Sequence, residues 1–482
     1  MKRTGIFCIV FVFMALAVKP AFGNDARIKK LEKENEALKE RVDELEKKYS
    51  QETEELKAMI AALREEIRGA SESVASPAQK TAERKGVFST MPRIVLVDET
   101  VTNGETGKWR GWHPGSLEKP VVAAPDDFAF KPYVTAIVQG VPNPNQSDDG
   151  KFGASYHADL ELEKKFGDWG LAFIDLRMGQ GDTVMDYLNV FSNVDDNAFD
   201  SGSNVRCHKF WYNQYLFQRQ LTVGAGKLDA TDWFDQNKYA NDDTCQFLGE
   251  LFNNSPLVEW PISTSLGARL HAEPKDLPFL HLDLGYFDGT GDWDNILEHG
   301  VYLGQMNLKP AELMDWDRAQ WDGNYRFYVW LNTRNHVKLM APGSTRQKNY
   351  GFGLTADQMI TDKFGVFARF GWQRPDIIPA PGAGSPATLE YFWSFGGQID
   401  GKIWNRQYDV FGVAVGQIFP SDRYNAAGNP ARTEGHIEAY YRYQLNKHLA
   451  FSPDVQVIWN PDGSRSKEDP VFIYGVRSHL NF

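Results

Sequence analysis

The last twelve residues of the chain alternate between apolar and polar side chains, and this pattern limits the fold more than any other feature. One face of the segment carries Phe472, Tyr474, Val476, Ser478, Leu480 and Phe482, and the other carries Gly475, Arg477, His479 and Asn481. A period of two is typical of a β-strand with one apolar and one wet side. Because the strand ends on an aromatic residue, we expect it to close a transmembrane β-barrel of the bacterial outer membrane.

The first 23 residues predict a secretory signal peptide. Lys2 and Arg3 precede an apolar core over residues 5–18, and the small residues Ala21 and Gly23 fit a cleavage site. The apolar core is too short to span about 30 Å of hydrocarbon as a helix. We therefore expect the chain to be exported.

Composition narrows the class of protein further. After residue 23 no run approaches the roughly 18 apolar residues of a transmembrane helix, which excludes an α-helical membrane protein. A net charge of −12 argues against a nucleic-acid partner. Cys207 and Cys245 remain after processing; they could pair or stay free, and they form no metal-binding motif. We expect no cofactor and no metal.

Residues 24–69 predict an α-helical coiled coil. Apolar residues recur at heptad spacing from Ile28 to Leu45 and continue in a shifted frame from Leu56 to Ile67, among many Lys and Glu residues. A single solvated helix is the alternative. The coiled coil would lie in the periplasm, where it could hold subunits together, act as a spacer or contact the cell wall. Residues 70–128 predict a linker and a lead-in segment.

Residues 129–482 predict an all-β, antiparallel barrel. Fifteen segments alternate with period two: 129–139, 152–163, 169–178, 205–216, 217–228, 265–273, 279–287, 325–334, 349–359, 363–373, 389–400, 408–418, 434–445, 449–459 and 471–482. Because bacterial single-chain barrels have even strand numbers, residues 301–308 are the best candidate for a sixteenth strand. Sixteen strands predict an open aqueous lumen rather than a filled core.

The connections divide into short turns and long loops. Short turns at residues 166–168, 362–363 and 446–448 would face the periplasm. Four longer stretches would be extracellular or folded into the pore: 179–204, 229–264, 309–324 and 374–388. We expect residues 181–204 to supply a loop that folds into the lumen.

Several stretches resemble the carbohydrate-selective porins of the OprB type. They are GKLD at 226–229, FDQN at 234–237, QFL at 246–248, FNNSP at 252–256 and the closing strands from residue 439 onward. The resemblance implies an outer-membrane barrel of sixteen strands that passes small sugars by diffusion, often as a homo-trimer. The N-terminal coiled coil departs from the family, in which some members carry a peptidoglycan-binding module before the barrel.

The candidate pore-lining residues carry charges of both signs. They are Asp175, Arg177, Arg206, Arg269, Asp283, Arg369, Glu390, Arg442 and Arg477. Arginines opposite carboxylates suit neutral, hydroxyl-rich solutes better than phosphate, which would favour a mainly basic throat. For each residue the alternative is a wall charge satisfied by its neighbours. Trp211 and Trp330 are candidates for stacking on sugar rings.

Three other functions stay open. The barrel could be a general or anion-selective porin, or it could anchor an envelope tether whose working part is the coiled coil. An outer-membrane hydrolase built on Ser155 and His157 is disfavoured, because no placed acid or oxyanion element accompanies them. Residues 288–295 could hold calcium, but their spacing does not match an EF-hand and favours an acidic turn. We therefore expect no enzyme.

Overall fold

The computed structural model describes residue 47, residues 93–95 and 121–123, and most of the chain from residue 128 to 482. Within that last range it omits 148, 198–203, 262–263, 292, 294, 316–320, 342, 345, 380–387 and 465–469. The predicted signal peptide, linker and coiled coil lie outside the described residues, apart from residue 47, which is helical. Two short strands, Arg93–Val95 and Val121–Ala123, pair antiparallel.

Sixteen antiparallel strands close into a barrel. They are β1 (Phe128–Val141), β2 (Lys151–Lys165), β3 (Gly170–Asp182), β4 (Arg206–Leu216), β5 (Leu221–Leu228), β6 (Ser265–Ala272), β7 (Leu280–Asp288), β8 (Gly300–Leu308), β9 (Gly323–Lys338), β10 (Gln347–Thr361), β11 (Phe364–Gln373), β12 (Leu389–Asp400), β13 (Val410–Pro420), β14 (Glu434–Gln444), β15 (Leu449–Trp459) and β16 (Val471–Asn481). The sixteenth strand expected at residues 301–308 is confirmed as β8.

The closing strand has the role expected of it. β16 pairs with β1 from Tyr474 opposite Gly140 to Asn481 opposite Tyr133, so the sheet has no free edge. Closure matters because an unpaired N–H or C=O group in hydrocarbon costs several kcal/mol. The barrel therefore satisfies its backbone through its own register.

Side chains alternate between the two faces as the sequence predicts. On β2, Phe152 is 68% exposed on the outer face, whereas Asp159 on the lumen face is 3% exposed. The same division holds on β7, where Leu284 points outwards and Asp283 is buried. The outer wall is therefore an apolar surface suited to lipid, and the charged residues lie inside.

One strand begins later than its alternation suggests. Residues 217–228 were expected to be a strand throughout, but β5 begins at Leu221. Phe217, Gln218 and Arg219 have positive φ angles of 53°, 58° and 67°. Left-handed backbone cannot continue an extended strand, so these residues form the turn from β4 instead.

The chain alternates between two ends of the barrel, which we call the turn end and the loop end. The turn end holds the connections at 166–169, 217–220, 273–279, 309–322, 362–363, 401–409 and 445–448. The loop end holds those at 142–150, 183–205, 229–264, 289–299, 339–346, 374–388, 421–433 and 460–470. The expectation that residues 309–324 are extracellular is therefore wrong, whereas the alternative, folding into the pore, stays a prediction. This connection follows β8, an even-numbered strand, and so emerges at the turn end.

The described connections contain short helices and one strand fragment. They are Val184–Tyr187, Ala230–Asp232, Glu250–Asn253, Pro310–Leu313, Gly401–Trp404, Asp422–Ala426, Pro461–Gly463 and the two-residue strand Ile377–Ile378, which pairs with β9. Within the part of the chain that the structure describes, no helix has the length and apolarity needed to cross a membrane.

The lumen is not simply open. Residues 229–264, which we call the inner loop, leave the loop end and pack against the inner wall. A cluster inside the barrel joins Phe247, Leu251 and Phe252 of this loop to Phe367 and Tyr440 of the wall. The inner loop therefore occupies part of the lumen, because its apolar side chains are buried there against the wall; an open aqueous channel through the remainder stays a prediction.

Candidate pore constriction

The inner loop is fastened to the wall by charged groups. Arg369 on β11 lies against Asp235 of the loop, with Nε 3.4 Å from Oδ1, and it also donates to the carbonyl oxygens of Asp235 and Phe252. Arg477 on β16 donates from its Nη1 to the carbonyl oxygen of Asp243 over 2.8 Å. Charge-assisted hydrogen bonds of this kind are stronger than neutral ones. They fix the loop from two sides of the barrel.

Glu438 on β14 holds a third point of the inner loop. Its two carboxylate oxygens accept hydrogen bonds from the backbone N–H groups of Leu248 and Gly249, over 2.6 and 2.8 Å. Buried N–H groups need such partners, because an irregular loop cannot satisfy them within a sheet. The short helix Glu250–Asn253 begins directly after this contact. Glu438 therefore sets where the loop turns back into the lumen.

Local sequence explains how the inner loop starts. The Asp229 carboxylate accepts hydrogen bonds from the N–H and the hydroxyl group of Thr231. Asp229 thereby caps the turn Ala230–Asp232. Asp235 adopts a left-handed conformation with φ of 55°, which Asp tolerates better than most residues. Its carboxylate then accepts from Ser255 N over 2.7 Å and joins the two limbs of the loop.

A second loop, residues 183–205, contacts the inner loop as well as the wall. Asp196 N donates to Leu248 O over 2.8 Å, and Glu250 N donates to Asn193 O over 3.0 Å. On the wall side, Phe191 N donates to the carboxylate of Glu434 over 2.9 Å. The expectation that residues 181–204 fold into the lumen is thus confirmed for their described part.

Burial changes the acidity of a carboxyl group in this second loop. Burial, together with the nearby carboxylate of Asp243, raises the pKa of Asp195 to about 7. The backbone N–H of Asn197 and the guanidinium group of Arg477 act in the opposite direction. Asp195 therefore titrates near neutral pH at the place where the second loop meets the inner loop.

Wall charges on β2 to β4 form one paired group. Arg177 Nε lies 2.5 Å from Asp159 Oδ1, and its Nη2 lies 3.9 Å from Asp175 Oδ2. Lys209, the register partner of Asp175, bonds instead to Asp232 of the inner loop over 2.7 Å. Arg177 and Asp159 thus pair across neighbouring strands, whereas Asp175 and Arg177 lie two residues apart on β3.

The other predicted lining residues fall in separate places. Arg269 and Asp283 form a buried pair, with Arg269 Nε 2.9 Å from Asp283 Oδ1. Arg206 is the register partner of Arg177. Glu390 is partly exposed and sits at the irregular start of β12, between the paired residues Leu389 and Tyr391. The structure does not bring this carboxylate into the paired groups.

Several buried polar atoms of the lumen have no protein partner among the described residues. Arg442 is 4% exposed, and its Nε and Nη2 atoms lack hydrogen-bond acceptors. Asp175 Oδ1 and Gln444 Oε1 likewise lack donors. Such groups are costly to leave unsatisfied, so they need water or a polar solute.

Two sequence expectations about lumen side chains do not hold. Trp211 stacks on Phe173, with ring centroids 4.9 Å apart, and meets Trp233 edge-on at 5.3 Å. Trp211 and Trp330 are each 3% exposed, so neither offers a free face to a sugar ring. The aromatic rings pack on the inner loop instead.

Sequence reasoning missed part of the constriction. Asp357 on β10 pairs with Arg326, whose Nη1 lies 2.6 Å from Oδ2, and the alternation of β9 and β10 could have indicated both residues. Asp232, Asp235 and Glu259 lie in the inner loop and gave no periodic signal. Their positions follow from long-range packing.

The remaining candidate sites have structural roles. His157 Nε2 lies 3.3 Å from Asp159 Oδ2, so this imidazole belongs to the wall charge group. Ser155 is buried on the same face. The Asp288 carboxylate accepts hydrogen bonds from the N–H and hydroxyl groups of Thr290. The start of the candidate calcium loop is therefore an ordinary Asx turn.

A closed antiparallel barrel with an apolar exterior, a charged interior and a loop folded into the lumen defines an outer-membrane porin. The solved structure of OprB from Pseudomonas putida at high pH has the same fold: its TM-score is 0.61 at 18% identity, over 74% of this chain and 94% of that chain. The family described as "Carbohydrate-selective porin, OprB family" matches residues 150–482, and the chain belongs to it.

The predicted function of sugar diffusion across the outer membrane is thereby confirmed at the level of the family. An uncharacterized protein of Aquifex aeolicus is also similar, with 24% identity over 274 residues that cover 56% of this chain and 71% of the relative. The family implies a channel rather than an enzyme.

Proposed function

We propose that the channel passes small neutral carbohydrates through a constriction formed by the inner loop and the charged wall. The predicted residues that contribute through their charges are Asp175, Arg177, Arg206, Arg269, Asp283, Arg369, Arg442 and Arg477, whereas Glu390 stands apart from the paired groups. The observation that carries the proposal is the pairing of opposite charges, as between Arg177 and Asp159, beside polar atoms that lack partners among the described residues. Mixed charges attract hydroxyl groups without favouring either sign of ion.

Among these residues, Arg442 has two guanidinium nitrogens, Nε and Nη2, without an acceptor among the described residues, whereas the guanidinium group of Arg369 is engaged with Asp235 and holds the inner loop. Arg442 is only 4% exposed, so a sugar would reach these donors only where the side chains that cover them move aside. Arg442 would therefore contribute to the selection of sugars, and Arg369 would hold the inner loop in position.

The test is single-channel conductance of the purified protein in planar bilayers with a panel of mono- and disaccharides. We expect weak ion selectivity and a current that sugars reduce. Losing one hydrogen bond of about 0.5–1.5 kcal/mol should weaken the sugar block roughly 2- to 12-fold in Arg442→Ala. The control Arg219→Ala changes a half-exposed arginine in a turn and should leave the block unchanged. Strong anion selectivity without sugar block would instead support a general anion porin.

The heptad pattern further supports a periplasmic coiled coil over residues 24–69, which would join three barrels into a homo-trimer. Deleting these residues should lower the fraction of cross-linked trimer while conductance persists. If the deletion removed attachment to the cell wall and left the trimer intact, the envelope tether would be the better description.

A further inference from the structure

Two histidines and a glutamate converge at the turn end of the barrel. His271 lies near the end of β6, Glu273 directly follows this strand, and His281 lies near the start of β7. His271 Nε2 is 2.9 Å and His281 Nδ1 is 3.0 Å from Glu273 Oε1. The three ligand atoms, one from each residue, all lie within 4.8 Å of one another. Neither the charged constriction nor sugar passage requires this cluster.

Strand register explains why the three side chains meet. His271 and Glu273 are two residues apart and so point to the same side of the sheet. His271 is the register partner of Asp283, which places His281 diagonally across the strand pair. The imidazole ring centroids of His271 and His281 lie 5.7 Å apart, and the ring planes are inclined by 73°. Each ring approaches Glu273 with a nitrogen atom on its edge.

A buried carboxylate supports one of the histidines from behind. Asp283 Oδ1 lies 2.8 Å from His271 Nδ1, and Asp283 also binds Arg269. When Asp283 accepts the Nδ1 proton, the lone pair of a neutral His271 is at Nε2 and faces the Glu273 oxygen. Two electron-rich atoms at 2.9 Å need a proton or a metal cation between them. The carboxylate–histidine arrangement is the one that orients metal-ligating histidines in proteins.

We propose that His271 Nε2, His281 Nδ1 and Glu273 Oε1 bind a divalent transition-metal ion, with Zn²⁺ as the best fit. Two imidazoles and one carboxylate are ligands that zinc accepts, whereas calcium and magnesium prefer oxygen ligands alone. Bonds of about 2.0–2.1 Å in a tetrahedron separate ligand atoms by about 3.4 Å, so the two separations from Glu273 Oε1, 2.9 and 3.0 Å, need to open by only a few tenths of an ångström. The two imidazole nitrogens lie within 4.8 Å of each other. A water molecule would complete the coordination.

The ligands are accessible to an ion from solution. The side chain of Glu273 is 47% exposed, and those of His271 and His281 are 17% and 12% exposed. Two carboxylates, Glu273 and Asp283, offset the charge of Arg269 and part of the charge of the ion. The site is therefore open on one side and supported on the other.

Isothermal titration of the full-length, tag-free protein with ZnCl₂ in detergent tests the proposal. We expect one Zn²⁺ per chain, and a Co²⁺ derivative with the intense visible bands of a four-coordinate site. His281→Ala and Glu273→Gln should each weaken binding at least 10-fold, because each removes one of three ligands. Of the two, His281→Ala is the more specific variant, because the contacts of Asp283 and Arg269 remain intact.

The matched control is His299→Ala, which alters a histidine near a single carboxylate, Glu298, at the loop end. Zinc binding should be unchanged in this variant. Heat-modifiable mobility in gels verifies that every variant retains the closed barrel. The proposal is overturned if the intact protein takes up no Zn²⁺ at ~100 µM, or if His281→Ala and Glu273→Gln bind as the unaltered chain does.

Discussion

The guanidinium group of Arg369 and the carboxylate of Asp235 face each other in the middle of the protein, and both side chains have no exposed surface. One belongs to the barrel wall, and the other belongs to the inner loop. Burial of the Asp235 carboxyl group raises its pKa, and Arg369 opposes this rise. Each charge is therefore tolerated in the interior only because the other is present.

Arg369→Ala should release the inner loop. Removing one partner of a buried pair typically costs about 3–5 kcal/mol, because the other charge is left uncompensated. Since the loop occupies the lumen, we expect a higher single-channel conductance and a weaker sugar block in planar bilayers. Arg374→Ala is the control, because Arg374 pairs with Asp376 in the connection after β11, away from the inner loop. Equal conductance in both variants would contradict this role of Arg369.

Glu438→Gln should loosen a different part of the inner loop. In glutamine an NH₂ donor replaces one of the two carboxylate oxygens, so it faces the N–H group of either Leu248 or Gly249 donor to donor. An unsatisfied buried N–H group costs about 1–3 kcal/mol. Hydrogen exchange should therefore become faster around residues 247–253, as measured by mass spectrometry. Glu390→Gln changes a carboxylate outside this contact and should leave the exchange rates of the loop as they are.

Much of the barrel could be predicted from the sequence because its physical cause is local. Alternation of apolar and polar residues, as in β2, follows directly from a sheet with lipid on one side and water on the other. The late start of β5 could not be found in this way, since Phe217 looks like a strand residue while its backbone is left-handed. The local pattern shows which face a side chain takes, but it does not report positive φ angles.

The constriction was less predictable because it depends on contacts between distant residues. Arg369 and Asp235 are 134 positions apart, and only packing of the inner loop brings them together. The covered face of Trp211 has the same origin, since Trp233 of the inner loop lies against it. His271 and His281 escaped notice as metal ligands because their proximity depends on strand register and not on a motif.

The two cysteines of the barrel should react differently with thiol reagents. Both are free in the structure; Cys207 is exposed on β4, and Cys245 lies in the inner loop. Burial, together with the carboxylate of Asp242, raises the pKa of the Cys245 thiol to about 11. Because the thiolate is the reactive form, we expect a maleimide to label Cys207 first in the folded protein. Labelling of both cysteines at equal rates would show that the inner loop does not protect Cys245.

Mass spectrometry after labelling provides the measurement, with unfolded protein as the reference for full reaction. Cys207→Ser should remove the fast phase, and Cys245→Ser should leave it intact. A disulfide between these cysteines would appear instead as the absence of any free thiol in the unfolded, unreduced chain.

The second loop should pack less tightly as the pH rises from about 4 to about 7. The usual pKa of an Asp carboxyl group is 3.8, and burial raises that of Asp195 to about 7. Between these values the packed loop retains a proton that the released loop loses, so the free energy of packing becomes less favourable with increasing pH. Above pH 7 both states are ionised and the penalty is constant. We therefore expect a larger and noisier conductance at pH 8 than at pH 5.

Asp195→Asn should remove this dependence, because the amide keeps the size of the side chain without titrating. Asp168→Asn, in the fully exposed turn between β2 and β3, is the control and should retain the pH response of the unaltered protein. Bilayer recordings at the two pH values compare all three proteins directly. If Asp195→Asn responds to pH as strongly as the unaltered chain does, another group controls the packing of the loop, and the raised pKa of Asp195 has no part in gating.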